Sequence, residues 1–120
     1  MKSVSTKTLH KKLWKLFSIY IRNRDKWTCY TCGKVGTGAQ IHAGHFKHNV
    51  LDFDEVNIHA QCIKCNNYNS GELDIYAENL IRDYGLEGFQ DLCKRASMAL
   101  KGDKKPHEWY YSMIEKYELR

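Results

Sequence analysis

The spacing of four cysteines does most to fix what this chain can fold into. Cys29-Tyr-Thr-Cys32-Gly33 and Cys62-Ile-Lys-Cys65 form two CxxC pairs, and each pair can wrap one edge of a metal ion with two thiolates. A redox CxxC or two disulfides would use the same residues, but two matched pairs in one short chain read as a tetrahedral zinc site, with Gly33 supplying the turn after Cys32. A rubredoxin-type iron centre would use the same four ligands. The fifth cysteine, Cys93, stands alone in a helical pattern and reads as a small apolar packing residue. A staple matters because 120 residues bound the chain to one compact domain with a small core. With 42% hydrophobic and 12% aromatic residues there is enough apolar surface to fold. No run approaches the roughly 18 to 20 apolar residues of a membrane span, and the opening MKSVSTKTLHKK lacks the apolar segment of a secretory signal. The expectation is a soluble intracellular protein with no membrane partner.

Around the cysteines the pattern is mostly helical. Leu9, Leu13, Leu16, Phe17, Tyr20 and Ile21 recur at spacings of three and four, which predicts a helix over 6–24, with Lys7, Lys11, Lys15 and Arg22 on its other side. Residues 27–65, rich in Gly, His, Asn and Cys, predict two short strands near 40–47 and 56–61, held by metal more than by core. Ser70 reads as the N-cap of a helix carrying Leu73, Tyr76, Ala77, Leu80, Ile81 and Tyr84, with Gly85 as its stop. A further helix is predicted from Glu87 to Leu100, with Phe89, Leu92, Cys93 and Ala96 inward and Gly102 ending it. Pro106 then opens a last helix through Tyr110, Met113, Ile114 and Tyr117. The fold class expected is α+β, with a domain over 1–102 and a helical extension over 103–120.

Charge is unevenly shared. Residues 1–50 hold ten Lys or Arg against one acid, Asp25, for +9, and residues 51–120 hold nine against thirteen, for −4. A basic half of this kind suits a polyanion, although a lysine-rich helix is also an ordinary solvated surface. Between the cysteine pairs lie His42, His45, His48, Asn57 and His59, followed after Cys65 by Asn66 and Asn67. Imidazoles and amides gathered on short strands supply what phosphodiester hydrolysis needs: a base near neutral pH, cation ligands, and a polar group to orient the base. As separate residues they would pass for surface or structural histidines.

The order Cys29-x-x-Cys32-Gly33, Ala43-Gly44-His45-Phe46, and Asp54-Glu55-x-Asn57-x-His59-x-Gln61-Cys62-x-x-Cys65-Asn66 resembles the zinc-bearing HNH, or ββα-metal, nucleases. More narrowly, over roughly residues 9–92, it resembles the NinG (Rap) family of lambdoid phage recombination endonucleases. That resemblance implies a zinc-stapled ββα-metal core and a structure-specific endonuclease that hydrolyses branched recombination intermediates such as Holliday junctions and D-loops. It implies a phage- or prophage-encoded protein in the bacterial cytoplasm, with branched double-stranded DNA and possibly phage recombination proteins as partners. By the same resemblance His45 is the general base, Asn57 ties the hairpin and orients that base, and Asn66 ligates a catalytic Mg2+ or Mn2+, with Asn67 as the alternative one residue on. Many HNH enzymes place a cation ligand immediately before the base, and here that residue is Gly44. His42 is the first candidate to replace it, with Asp52, Asp54 and His59 behind it.

Lys7, Lys11, Lys12, Lys15, Arg22 and Lys47 are the candidate DNA-binding residues. The aromatic residues Trp109, Tyr110, Tyr111 and Tyr117 either form a two-fold contact in a homodimer or cover the small core. The alternative to an enzyme is a non-catalytic zinc-dependent module that binds nucleic acid in recombination.

Overall fold

The computed structural model describes residues 4–99 and 104–120. Helix α1 spans Thr6–Arg24, the bounds the apolar stripe predicts, and Ser5 caps it by accepting the Thr8 N–H at 3.2 Å. Leu9, Leu13, Phe17 and Ile21 are buried along one face, each contributing about 1.5–3 kcal/mol of apolar transfer free energy. Lys7, Lys11, Lys12 and Lys15 are exposed on the other.

Strands β1 (Ile41–His45) and β2 (Ile58–Cys62) pair antiparallel, Ile41 opposite Cys62 and His45 opposite Ile58. Strand alternation sends Ile41, Ala43 and His45 to one face with Ile58, Ala60 and Cys62. It sends His42 and Gly44 to the other, with His59 and Gln61. The outer edge of β2 is also occupied. Asp25 accepts the Ala60 N–H at 2.8 Å, Tyr30 donates its N–H to the Ala60 carbonyl at 2.7 Å, and Arg24 donates to the Ile58 carbonyl at 2.9 Å. A sheet of two strands is marginal alone, and this one is held on both sides.

After β2 a single π-helical turn, Lys64–Tyr68, carries Cys65, Asn66 and Asn67. Ser70, expected to cap the next helix, does not. It lies in a left-handed run with Gly71 and Glu72 (φ 52°, 90° and 49°), and Glu72 holds the cap position without a side-chain cap bond. The run turns the chain out of the π turn, with the Gly71 N–H bonded to the Cys65 carbonyl at 2.7 Å. Helix α2 spans Leu73–Met98 and is broken at Gly85 (φ 76°, ψ 165°), the predicted stop. Tyr76, Leu80 and Leu92 are its buried residues and pack with Phe46. Ala99 is extended, and the expected continuation to Leu100 and the stop at Gly102 lie outside the described residues.

Pro106 opens helix α3 (His107–Glu118) as expected. Its Tyr110, Ile114 and Tyr117 share one core with Leu9, Leu13, Phe17, Ile21, Ala43, Phe53 and Ile58. Phe17 and Tyr117 meet edge-on at 5.0 Å. Tyr110 and Tyr117 therefore cover the core, Trp109 packs on Phe53, and Tyr111 is exposed. No described helix is long and apolar enough to cross a membrane.

Candidate functional site

The four sulfur atoms of Cys29, Cys32, Cys62 and Cys65 lie within 4.8 Å of one another. A tetrahedral zinc with bonds of about 2.3 Å sets its sulfurs about 3.8 Å apart, and Cys32 and Cys62 stand at 3.7 Å. The cluster thus fits such an ion. The first pair sits in a knuckle where Gly33 (φ 80°) donates its N–H to the Cys29 carbonyl at 2.9 Å and Thr28 bridges to Val35. The second joins the end of β2 to the π turn. Burial opposes the Cys29 thiolate, but hydrogen bonds from Thr31 and from backbone N–H groups outweigh it and bring the thiol down to about 6. Burial pushes Cys65 up to about 12, so metal entry at neutral pH displaces protons. Cys93, half-buried, takes no part.

His45, at the end of β1, lines an open cleft of ≈ 410 Å³ with His10, Lys11, Trp14, His48, Asn49 and Asp52. Its ring stacks on Trp14 at 5.2 Å and on His48 at 5.8 Å, and its Nε2 lies 3.2 Å from Asp52 Oδ1. Burial and the neighbouring His45 hold His48 below the usual imidazole range.

Asn57 is fully buried. Its Oδ1 accepts the Lys47 N–H at 2.7 Å, and its Nδ2 faces the carbonyls of Lys47, Leu51 and Val50 at 3.0, 3.2 and 3.4 Å. The amide thus closes the loop after β1 and so places His45 and Asp52 together. Asn66 lies on the opposite face of the hairpin from His45, its Nδ2 3.2 Å from His42 Nδ1 and 3.3 Å from Asn67 Oδ1. Asn66 also abuts Gly44, since a Cβ there would stand 3.1 Å from Asn66 Oδ1 and overlap Gln61 Oε1. The structure therefore joins His42 with Asn66, and joins His45 with Asp52.

The remaining candidates are engaged elsewhere. Asp54 accepts the Val56 and Asn57 N–H groups at 2.9 and 3.1 Å and pairs with Arg95. His59 is buried, stacked on Tyr30 at 3.9 Å and within 3.0 Å of Tyr84 Oη, and burial lowers it to about 3. Among the basic residues, Arg22 bonds the Ser18 carbonyl and covers Trp27, and Lys47 covers Phe46. Lys7, Lys11, Lys12 and Lys15 remain exposed. Sequence reading missed His10 and Trp14, one helical turn apart on α1, and missed Lys104 and Lys105. Those two lysines line a second groove with Thr6, Lys7 and Tyr110, and that groove meets the His45 cleft at His10 and Lys11. The i, i+4 spacing of His10 and Trp14 was the available signal; Lys104 and Lys105 carried none.

The chain is similar to several phage proteins. Protein ninG of Salmonella phage P22 is 37% identical over 95 residues, covering 75% of this chain and 42% of that protein. Protein ninG of Escherichia phage lambda is 40% identical over 78 residues, and that of Escherichia phage 933W 41% over 78, each covering 61% of this chain and 38% of the relative. The chain thus spans about two fifths of the length of these relatives. No solved structure matches it. The family sequence model described as Bacteriophage Lambda NinG protein matches residues 1–117, and the chain belongs to the NinG family.

Proposed function

We propose that this chain is a metal-dependent DNA endonuclease of HNH type with a structural zinc, acting on branched recombination intermediates. One observation carries the reading: His45 stands at the end of a strand in an open cleft, its ring fixed by Trp14 and Asp52, beside a groove lined by lysines. An imidazole so held can take the proton of a water that attacks a phosphorus atom. Asn57 keeps the loop closed so that base and carboxylate stay in register. Cys29, Cys32, Cys62 and Cys65 would hold a zinc ion that ties the hairpin to the knuckle. A bound Mg2+ or Mn2+ would lower the charge on the phosphorane and the leaving 3′ oxygen, and Asn66 with His42 are the residues to hold it. Asn66 and His42 lie on the face of the hairpin opposite His45, with Asn66 abutting Gly44, the residue before His45. On this reading a homodimer in the cytoplasm of a bacterial host would make the paired incisions of a four-way junction.

One observation favours the second reading, a non-catalytic nucleic-acid-binding module. Among the described residues, the four cysteines are the one group of three or more His, Cys, Asp or Glu donors that converges on a point. The deciding experiment is cleavage of junction, flap and linear duplex DNA by zinc-loaded protein, with and without Mg2+ or Mn2+. His45→Ala is expected to cut about 100-fold more slowly or worse at unchanged DNA affinity. Binding without cleavage by the wild type in either cation would select the second reading.

A further inference from the structure

We propose that Asp52 is the positioning carboxylate of the cleft, holding His45 through one oxygen and tying it to His10 of α1 through the other. Both contacts are 3.2 Å, from Oδ1 to His45 Nε2 and from Oδ2 to His10 Nε2. A carboxylate with each oxygen taken by an imidazole is a bridge between two elements.

The carboxylate is itself anchored on both sides. The preceding residue, Leu51, gives its carbonyl to the buried Asn57 amide at 3.2 Å. The following residue, Phe53, is buried in the core of α1 and α3 and meets the His10 ring at 4.9 Å. Asp52 therefore has little freedom to leave its partners. The hydrogen bond to His45, and then that to His10, hold its carboxyl below the usual carboxylate range despite burial. An ionised acceptor at Nε2 makes that nitrogen the protonated one, which leaves the Nδ1 lone pair of His45 as the base. Trp14 and His48, stacked on the same ring, restrict its rotation. The other groups facing the pair are Lys11 from α1 and Asn49 from the loop. On this account α1 does more than offer lysines to phosphate, because through His10 it fixes the orientation of the base.

The catalytic consequence rests on the nuclease reading, and the test keeps the two apart. His45 is titrated by NMR in zinc-loaded protein without DNA, and cleavage is measured in parallel for wild type, Asp52→Asn and Asp52→Glu, with zinc content as the check on folding. For Asp52→Asn the His45 titration midpoint and the acid limb of the pH–rate profile are expected at lower pH, because a neutral amide no longer favours the imidazolium. Its kcat is expected to fall at least 10-fold at unchanged KM, and Asp52→Glu restores part of both. An Asp52→Asn protein with the wild-type His45 titration overturns the proposal, as does a rate loss with an unmoved pH profile. Should Asp52→Asn fail to retain zinc, His10→Gln gives the same decision. Removing that competitor for the carboxylate moves the His45 midpoint to higher pH, and no movement refutes the bridge. If the wild type cleaves nothing, the nuclease reading falls alone, and the His45 titration still decides the role of Asp52.

Discussion

Asn57→Ala is the substitution whose effect can be worked out most fully. The side chain is fully buried and offers one acceptor oxygen and two N–H donors. The oxygen takes the Lys47 N–H at 2.7 Å, and two protons serve three carbonyls at 3.0 to 3.4 Å. At most three good bonds exist at once, and at about 1 kcal/mol each the truncation removes about 3 kcal/mol. The Lys47 N–H is then left without its partner, adding up to about 2 kcal/mol. A loss of about 3–5 kcal/mol is a large share of the 5–15 kcal/mol typical of a whole domain. Urea titration of zinc-saturated protein, followed by tryptophan fluorescence, measures it; Trp14 on His45 reports the cleft directly. Asn57→Asp is expected to be at least as damaging, since a buried anion would face three carbonyl oxygens. A loss below about 1 kcal/mol for Asn57→Ala would show that the loop stands without the amide, and the account of how His45 and Asp52 are placed would go with it.

Removing zinc with a chelator, or replacing Cys62 by Ser, is expected to unfold the 29–65 segment, whereas Cys93→Ser leaves zinc content and circular dichroism near wild type; a zinc-free preparation with unchanged spectra would contradict this. His59 is lowered from 6.5 to about 3 by burial, so between those pH values the unfolded chain binds a proton that the folded chain does not, and stability falls as pH falls. From pH 7 to 5 the wild type should lose about 2 kcal/mol more than His59→Gln in matched urea titrations, and parallel curves would exclude the effect. Lys104→Glu with Lys105→Glu is expected to weaken DNA binding and to reduce the slope of log K against log salt by about 2. An unchanged slope would take that groove out of the DNA path.

Where a local rule governs, the chain was readable. The stripe from Leu9 to Ile21 gave α1 its bounds, Gly85 marks the break in α2, and Pro106 opens α3. The CxxC spacing brought four sulfurs together because each pair needs only one tight turn. Ser70 misled because a serine before an apolar run is a common cap, while the demand that overrode it, a left-handed exit from the π turn, is set by Cys65. His42 and His45 are three residues apart, an odd separation that sends them to opposite faces of a strand, so their division was legible in principle. The pairing of Asp52 with His10 was not, since the two are brought together only when α1 docks on the loop. Gly44 has a similar origin. The Oε1 of buried Gln61 stands where its Cβ would be, and Gln61 is held there by bonds from its Nε2 to Gly71 and Thr31. Any side chain at position 44 would have to displace Gln61, a constraint that no pattern within residues 41–45 reveals.

The shared core of α1 and α3 sets an order of events during synthesis. The apolar face of α1 is finished by Tyr110, Ile114 and Tyr117, about a hundred positions later. At roughly 5–20 residues per second, a nascent chain would carry that face only partly covered, by Ala43, Phe53 and Ile58, until about 5–20 s after it emerges. The cysteine knuckles emerge well before then, so a metal ion can organise the middle of the chain while its first helix still waits for its partner.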